Sequence, residues 1–473
     1  MLHILRTIPR FQAGRMAWLA ILAGIALPGG CILRKMTGTE GFPRFYTTGN
    51  CIYDGTWLTT GTFELTAGQV TQAKGFVVDR AGVIFAAGFG TDSGGVLSWV
   101  VRKSADGGRA WSGSDTYQLS AGANASAKAI LLAADGAIVV GGTADDGTGL
   151  IHWIARVSRD SGSTWSTLED FVYEDGSSNQ GNSALESMAA DPLGGLYAAG
   201  YAFDTDKGYN VGILRSSIDG GATWTTARTY DHDLDDHAQT GADTRYSGVA
   251  TIALAPSDSG FVATLVLAGT GVNTATANTE WVTQTATIDS SGPAGFGTSD
   301  VFNYATGTAS TPKAIAGRFD QAGTQIVVAG ESEDGSGVAH WIVRRLVTSE
   351  GVWRTVDDYA LSGGLPASAA SVFFDETSNR FFVSGHAGDS GSGQDTWVLR
   401  ESSDFGATWA TLDSFLYSTG GGSRAAHFVT DWLGARYAIG NVSDGTSSPW
   451  LFRGQACRRE KNITPGGGHP VRE

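Results

Sequence analysis

The sequence predicts an all-β chain folded as a seven-bladed β-propeller, closed by pairing of its N- and C-terminal strands. Three observations carry this. Apolar segments recur at "WVVR" (Trp99), "WIAR" (Trp153), "GILR" (Gly212), "WVTQ" (Trp281), "WIVR" (Trp341), "WVLR" (Trp397) and "WLFR" (Trp450), spaced by 54, 59, 69, 60, 56 and 53 residues. Short β-rich runs separated by Gly/Asp punctuation fill each interval, with no helical period. The seventh unit then stops after "WLFRGQAC", and its missing half stands at the front of the repeats, in "CIYDGTWLTTGTFEL" (Cys51 to Leu65).

Residues 1–30 read as an export signal. Arg6, Arg10 and Arg15 precede the apolar stretch Met16 to Leu27, which is too short to span a bilayer (about 20 residues are needed). It ends in Gly29-Gly30-Cys31, which resembles a bacterial lipoprotein lipobox. The resemblance implies lipidation of Cys31, with residues 31–50 as a tether. Pro28 stands where the usual pattern has leucine, so plain cleavage and an uncleaved anchor stay open as alternatives. The net charge of −15 moves to about −18 once the three arginines are removed. Nucleic-acid binding needs a basic face, so that class of partner is excluded.

The propeller is assigned to residues 51–457 and a polar tail to 458–473. Each unit reads as four strands. In one, "AILLAA" and "AIVVGG" flank a D-G turn, "HWIAR" follows, and "STLEDFVY" closes the unit. Nearly continuous apolar runs suit sheets covered on both faces, and a ring of such sheets protects its edges. Cys51 and Cys457 meet where the ends join, so a Cys51–Cys457 disulfide is expected, with Cys31 left for lipid. The alternative is two free thiols.

Four turns share the pattern S-x-D-x-G-x-x-W: Ser104, Asp106, Gly108, Trp111; Ser158, Asp160, Gly162, Trp165; Ser217, Asp219, Gly221, Trp224; and Ser402, Asp404, Gly406, Trp409. Residues 54–57 form a contracted copy. The pattern resembles the Asp-box (BNR) motif of sialidase-like and sortilin-like propellers. That resemblance implies hairpin turns between the third and fourth strands, on the face opposite the usual ligand site. A serine nucleophile would need a base and an orienting group beside it, which repetition around a ring does not supply.

The repeated Arg102, Arg156, Arg215, Arg344, Arg400 and Arg453 are expected to spread around the ring, each pairing inside its own blade, rather than to converge on a substrate carboxylate. The loops between second and third strands carry Asp92, Asp145, Asp146, Asp204, Asp206, Asp334, Asp389 and Asp444, read either as turn formers or as an acidic ring that attracts cations. The longest interval contains "YDHDLDDH" (Tyr230 to His237). Asp231, Asp233 and Asp235 could offer oxygens to Ca²⁺, and His232 and His237 suit Zn²⁺; a solvated acidic loop is the alternative. Apart from such a Ca²⁺ ion, no cofactor is expected. Lys74, Lys128, Lys313 and Arg424 occupy similar places at the first strands, where a basic inner rim could hold an anionic ligand. The functional expectation is a monomeric binding or scaffolding module at the cell envelope, anchored to the membrane by lipid and presenting its face to a protein or glycan. The competing expectation is a glycan-active hydrolase, although no carboxylate pair stands out for it.

Overall fold

The computed structural model describes residues 51–52, 55–253, 263–320, 323–455 and 458–459. They form seven four-stranded antiparallel sheets arranged as a propeller. Blade 1 runs through Thr71–Val78, Ile84–Thr91, Leu97–Ser104 and Ser112–Tyr117, and blade 2 through Ala125–Leu132, Ile138–Asp145, Ile151–Ser158 and Ser166–Phe171. Blade 3 has Ser183–Ala190, Leu196–Asp204, Tyr209–Ser217 and Thr225–Tyr230; blade 4 has Thr244–Ala253, Ala263–Asn273, Asn278–Asp289 and Gly292–Phe302. Blade 5 has Ser310–Asp320, Gly323–Glu333, Ala339–Val347 and Val352–Tyr359; blade 6 has Ala367–Asp375, Arg380–Asp389, Gln394–Ser402 and Ala410–Phe415.

Blade 7 takes Ser423–Thr430, Arg436–Val442 and Trp450–Gln455 from one end of the chain and Leu58–Phe63 from the other, with Phe63 opposite Trp450. This is the expected closure. A two-residue pairing of Cys51–Ile52 with Arg458–Arg459 adds to the join. Cys31 and Cys457 lie outside the described residues, and with them the lipid anchor, the tether and the Cys51–Cys457 bridge.

The core lies between the blades. Trp99, Trp153, Trp281, Trp341 and Trp397 on the third strands are fully buried. A glycine on the next blade's second strand makes room for the ring. A Cβ on Gly142 would lie 2.9 Å from Trp99, one on Gly200 2.9 Å from Trp153, and one on Gly440 2.4 Å from Trp397. The same fit seals the ring, since a Cβ on Gly88 of blade 1 would lie 2.9 Å from Trp450 of blade 7. Each such tryptophan removes a large apolar area from water at the joint between two sheets.

Candidate functional site

The four S-x-D-x-G-x-x-W turns have one geometry. In "SRDSGSTW", the Ser158 hydroxyl donates to Asp160 (2.8 Å) and accepts from the Gly162 amide (2.8 Å). Asp160 also accepts from the Ser163 and Thr164 amides and from the Thr164 hydroxyl. These bonds hold its carboxyl well below the usual carboxylate range, beginning with the Thr164 hydroxyl. Ser104, Ser217 and Ser402 repeat the pair of bonds around Asp106, Asp219 and Asp404. The turn glycines take φ from +72° to +94° and meet the preceding blade. A Cβ on Gly108 would lie 2.0 Å from Phe452, and one on Gly162 2.6 Å from Phe85. The serine and aspartate side chains are thus spent on shaping a turn, and the glycine on seating it against its neighbour.

The arginines correct one expectation. Five of the six take their acid from the preceding blade rather than from their own, whereas the expected own-blade carbonyl is present for Arg102 and Arg400. Arg156 of blade 2 grips Asp115 of blade 1 at 2.7 and 3.1 Å, Arg344 of blade 5 grips Asp300 of blade 4 at 2.6 and 2.7 Å, and Arg215 of blade 3 holds Glu169 of blade 2 at 2.8 Å. Arg400 binds Asp357 and Arg453 binds Asp413 in the same way. Each guanidinium also covers an aromatic ring two residues beyond the acid, as Arg156 covers Tyr117 at 4.2 Å. Blades pack face to face, so a side chain leaving one sheet reaches the next sheet first. Own-blade partners persist beside these: Arg215, Arg344 and Arg400 donate to Thr226, Thr355 and Thr411, and Arg400 also to the Trp409 carbonyl, while Arg102 donates to the Trp111 carbonyl and stacks on Phe63 of blade 7. At the joint of blades 3 and 4 the arginine is replaced by Gln284, which accepts from the Tyr246 hydroxyl at 2.5 Å.

The loop aspartates act mainly as turn formers. Asp92 accepts from Gly94 and Val96, Asp145 and Asp146 from Gly147 and Thr148, Asp334 from Ser336, Asp389 from Gly391 and Asp444 from Thr446. Asp204 accepts from the Lys207 amide and Asp206 from the Ser177 hydroxyl.

Inside this ring of loops, on the face opposite the turns, a cavity of about 790 Å³ opens along the central axis. Its wall is built from one repeated irregularity. Every first strand shifts register against the second at the same place, and the residue left unpaired is Lys74, Lys128, Glu186 or Ser247 in blades 1–4. In blades 5–7 it is Lys313, Ala370 or Ala426. A bulge re-aims a side chain, and all of these except Lys128 line the cavity. Lys128 instead reaches the cavity residue Glu186 at 3.6 Å. Lys313 is held by Glu331 (2.8 Å) and Ser368 (2.8 Å), while Arg424, two residues before the bulge, is held by Asp395 at 2.5 Å. Lys74 has no carboxylate within ion-pair reach among the described residues, and burial followed by the charge of Lys128 pulls its ammonium below the ordinary lysine value. His386 shares this wall, and burial and Arg424 hold it down to about 4.

The "YDHDLDDH" loop folds as a single helical turn, His232–Asp235. Its aspartates do not converge. Asp231 caps the turn and accepts from the Tyr209 hydroxyl at 2.6 Å, Asp233 accepts from the amide and hydroxyl of Thr274, and Asp235 pairs with Arg228. The two histidines do converge, and Glu280 of blade 4 joins them. Glu280 was not visible as a partner in the sequence, being 43 residues beyond His237. Asn273 is equally remote in the chain, while Asp236 stands inside the stretch but outside the alternating pattern of Asp231, Asp233 and Asp235.

No protein-family model and no curated protein sequence matches the chain. Among solved structures it is similar to a protein of unknown function from Dyadobacter fermentans DSM 18053, at 13% identity over 85% of this chain and 99% of that one, with a TM-score of 0.46. It is also similar to Trypanosoma rangeli sialidase in complex with the inhibitor DANA (11% identity, 84% of this chain, 60% of that one, TM-score 0.46). A third is the GH93 alpha-L-arabinofuranosidase of Fusarium graminearum in complex with arabinobiose (11% identity, 73% of this chain, 98% of that one, TM-score 0.45). At such identities the likeness concerns the fold.

Proposed function

We propose that the chain is an exported binding module of the cell envelope that takes an acidic saccharide into its axial cavity. The observation carrying this reading is the ring of bulged residues, which puts Lys74 and Lys313 on one wall with Lys74 lacking a carboxylate partner among the described residues. The cavity volume falls in the range that encloses a small ligand, about 300–1,000 Å³. Gln72 and Gln394 line the same cavity and offer hydrogen bonds to hydroxyls around the cations. Lys313 and Arg424 are pre-positioned by acids, so little side-chain freedom is lost on binding.

Tethering at the membrane through Cys31 belongs to the same proposal and rests on the arginine-led apolar stretch that ends at Gly29-Gly30-Cys31. Mass spectrometry of the mature N-terminus tests that part. The binding reading is tested on an array of acidic and neutral glycans, with a panel of fluorogenic glycosides run beside it. Retention of acidic glycans that is lost on Lys74→Ala supports it. Glycoside turnover would make the chain a hydrolase instead, and retention indifferent to charge would remove the cavity from the account.

A further inference from the structure

The joint between blades 3 and 4 differs from the others. Gln284 stands in place of the bridging arginine, and Arg228 stands two residues before Tyr230, where the fourth strands of blades 1, 2, 4, 5 and 6 carry an acid before their aromatic. On the cavity face of this joint lie two imidazoles and a carboxylate. We propose that His232, His237 and Glu280 form a binding site for a divalent transition-metal ion of the zinc class.

The donor atoms form a compact triangle. His232 Nε2 lies 2.8 Å from Glu280 Oε2, His237 Nε2 lies 3.1 Å from the same oxygen, and the two Nε2 atoms are 3.1 Å apart. Ligands about 2.0–2.1 Å from a common zinc ion sit roughly 3.3 Å from one another, so a few tenths of an ångström of outward movement would seat the ion just off the triangle's plane. The surrounding groups leave the right atoms facing inward. His232 Nδ1 lies 3.0 Å from Asp236 and 2.8 Å from the Tyr230 hydroxyl, and Asp236 also accepts from Thr298. A carboxylate on the far ring nitrogen fixes the tautomer and orients the near nitrogen, as it does for histidines that hold metals. Asn273 donates to Glu280 Oε1 at 3.0 Å, leaving Oε2 for the triangle.

The site is built in advance. His232 is fully buried and Glu280 nearly so. A Cβ on Gly271 would lie 2.3 Å from the Cβ of His232, so only glycine lets that ring enter. Asp231 and Asp233, which look like ligands in the sequence, hold the loop that carries both histidines. His237 is partly exposed, giving an entry path and an outer position for water or a ligand group. Two imidazoles with a single carboxylate suit zinc; Ca²⁺ asks for six or more oxygens.

The test uses the full chain, stripped with chelator and titrated with Zn²⁺ against a chromophoric competitor, with thermal unfolding followed in parallel. One zinc per chain is expected, with a rise in Tm. Half-exposed His237→Ala and the isosteric Glu280→Gln are each expected to weaken binding by about tenfold or more and to abolish the Tm rise, while circular dichroism confirms that they fold. Absence of saturable zinc binding up to about 100 µM in the wild-type chain would overturn the proposal. So would unchanged affinity in both folded variants, or displacement of zinc by equimolar Ca²⁺.

Discussion

Arg400 of blade 6 reaches back across the joint and holds Asp357 of blade 5 through two hydrogen bonds, Nε to Oδ2 at 2.6 Å and Nη2 to Oδ1 at 2.8 Å, while its guanidinium covers Tyr359 at 4.2 Å. Both side chains are about nine-tenths buried. Removing one member strands a charge in a dry joint, so Asp357→Ala should cost about 3–5 kcal/mol. Replacing both with apolar residues should cost markedly less. Urea midpoints of the single and double variants separate the two outcomes, and equal losses would refute the pairing as the source.

The recurring turns should fail in two distinct ways. Ser158→Ala leaves the buried Gly162 amide without its acceptor, a loss of about 1–3 kcal/mol. Gly162→Ala must both hold φ near +72° and push a methyl to 2.6 Å from Phe85, so it should be the more damaging change. Thermal unfolding ranks them. A milder effect for the alanine at 162 would show that the blade joint yields at this point.

Acid should loosen the closing joint before it protonates the carboxylates. His427 packs edge-on against Phe76 of blade 1, and burial lowers it from 6.5 to about 4. A depressed histidine keeps its full contribution above the unfolded value and loses it as pH falls from about 6.5 through about 4, because the unfolded chain takes the proton first. His386 titrates in the same sense. His427→Leu should therefore flatten the fall in stability between pH 7 and pH 4.5 by about 1–3 kcal/mol, as read from urea midpoints at several pH values.

The lysines at the bulges should not be equivalent. Lys128 is engaged by Glu186 at 3.6 Å, whereas Lys74 has no such partner among the described residues. Lys74→Ala should weaken retention of an acidic glycan by about tenfold or more, the worth of a charged hydrogen bond, and Lys128→Ala should do so less. Titration calorimetry at two salt concentrations checks the order, since a charge-led contact weakens with ionic strength.

The blade count and the closure were legible because they are written as repetition: one apolar segment seven times, and a split unit shared between the two ends. The joints were harder to read. A partner for Arg156 at Asp115 is set by how neighbouring sheets stack, which no single repeat encodes. A signal was nonetheless present, an acid two residues before an aromatic on the fourth strands at Asp115/Tyr117, Asp300/Phe302, Asp357/Tyr359 and Asp413/Phe415. In "YDHDLDDH" the eye is drawn to alternating aspartates, yet local geometry spends them on a helical turn. The histidines find Glu280 only because a separate hairpin of blade 4 folds back beside the connector. The bulges that aim Lys74, Lys128 and Lys313 inward leave no mark in residue type, so similar positions could be noted while the cause stayed hidden.

Leu58–Phe63, the earliest propeller strand to leave a ribosome or a translocation pore, must wait for Trp450–Gln455 before it has anywhere to dock. Until then Gly88 lacks Trp450, and the first and last sheets each show a bare apolar flank. Maturation is therefore all-or-none in time. Nearly four hundred residues must arrive on the same side of any barrier before the ring can latch.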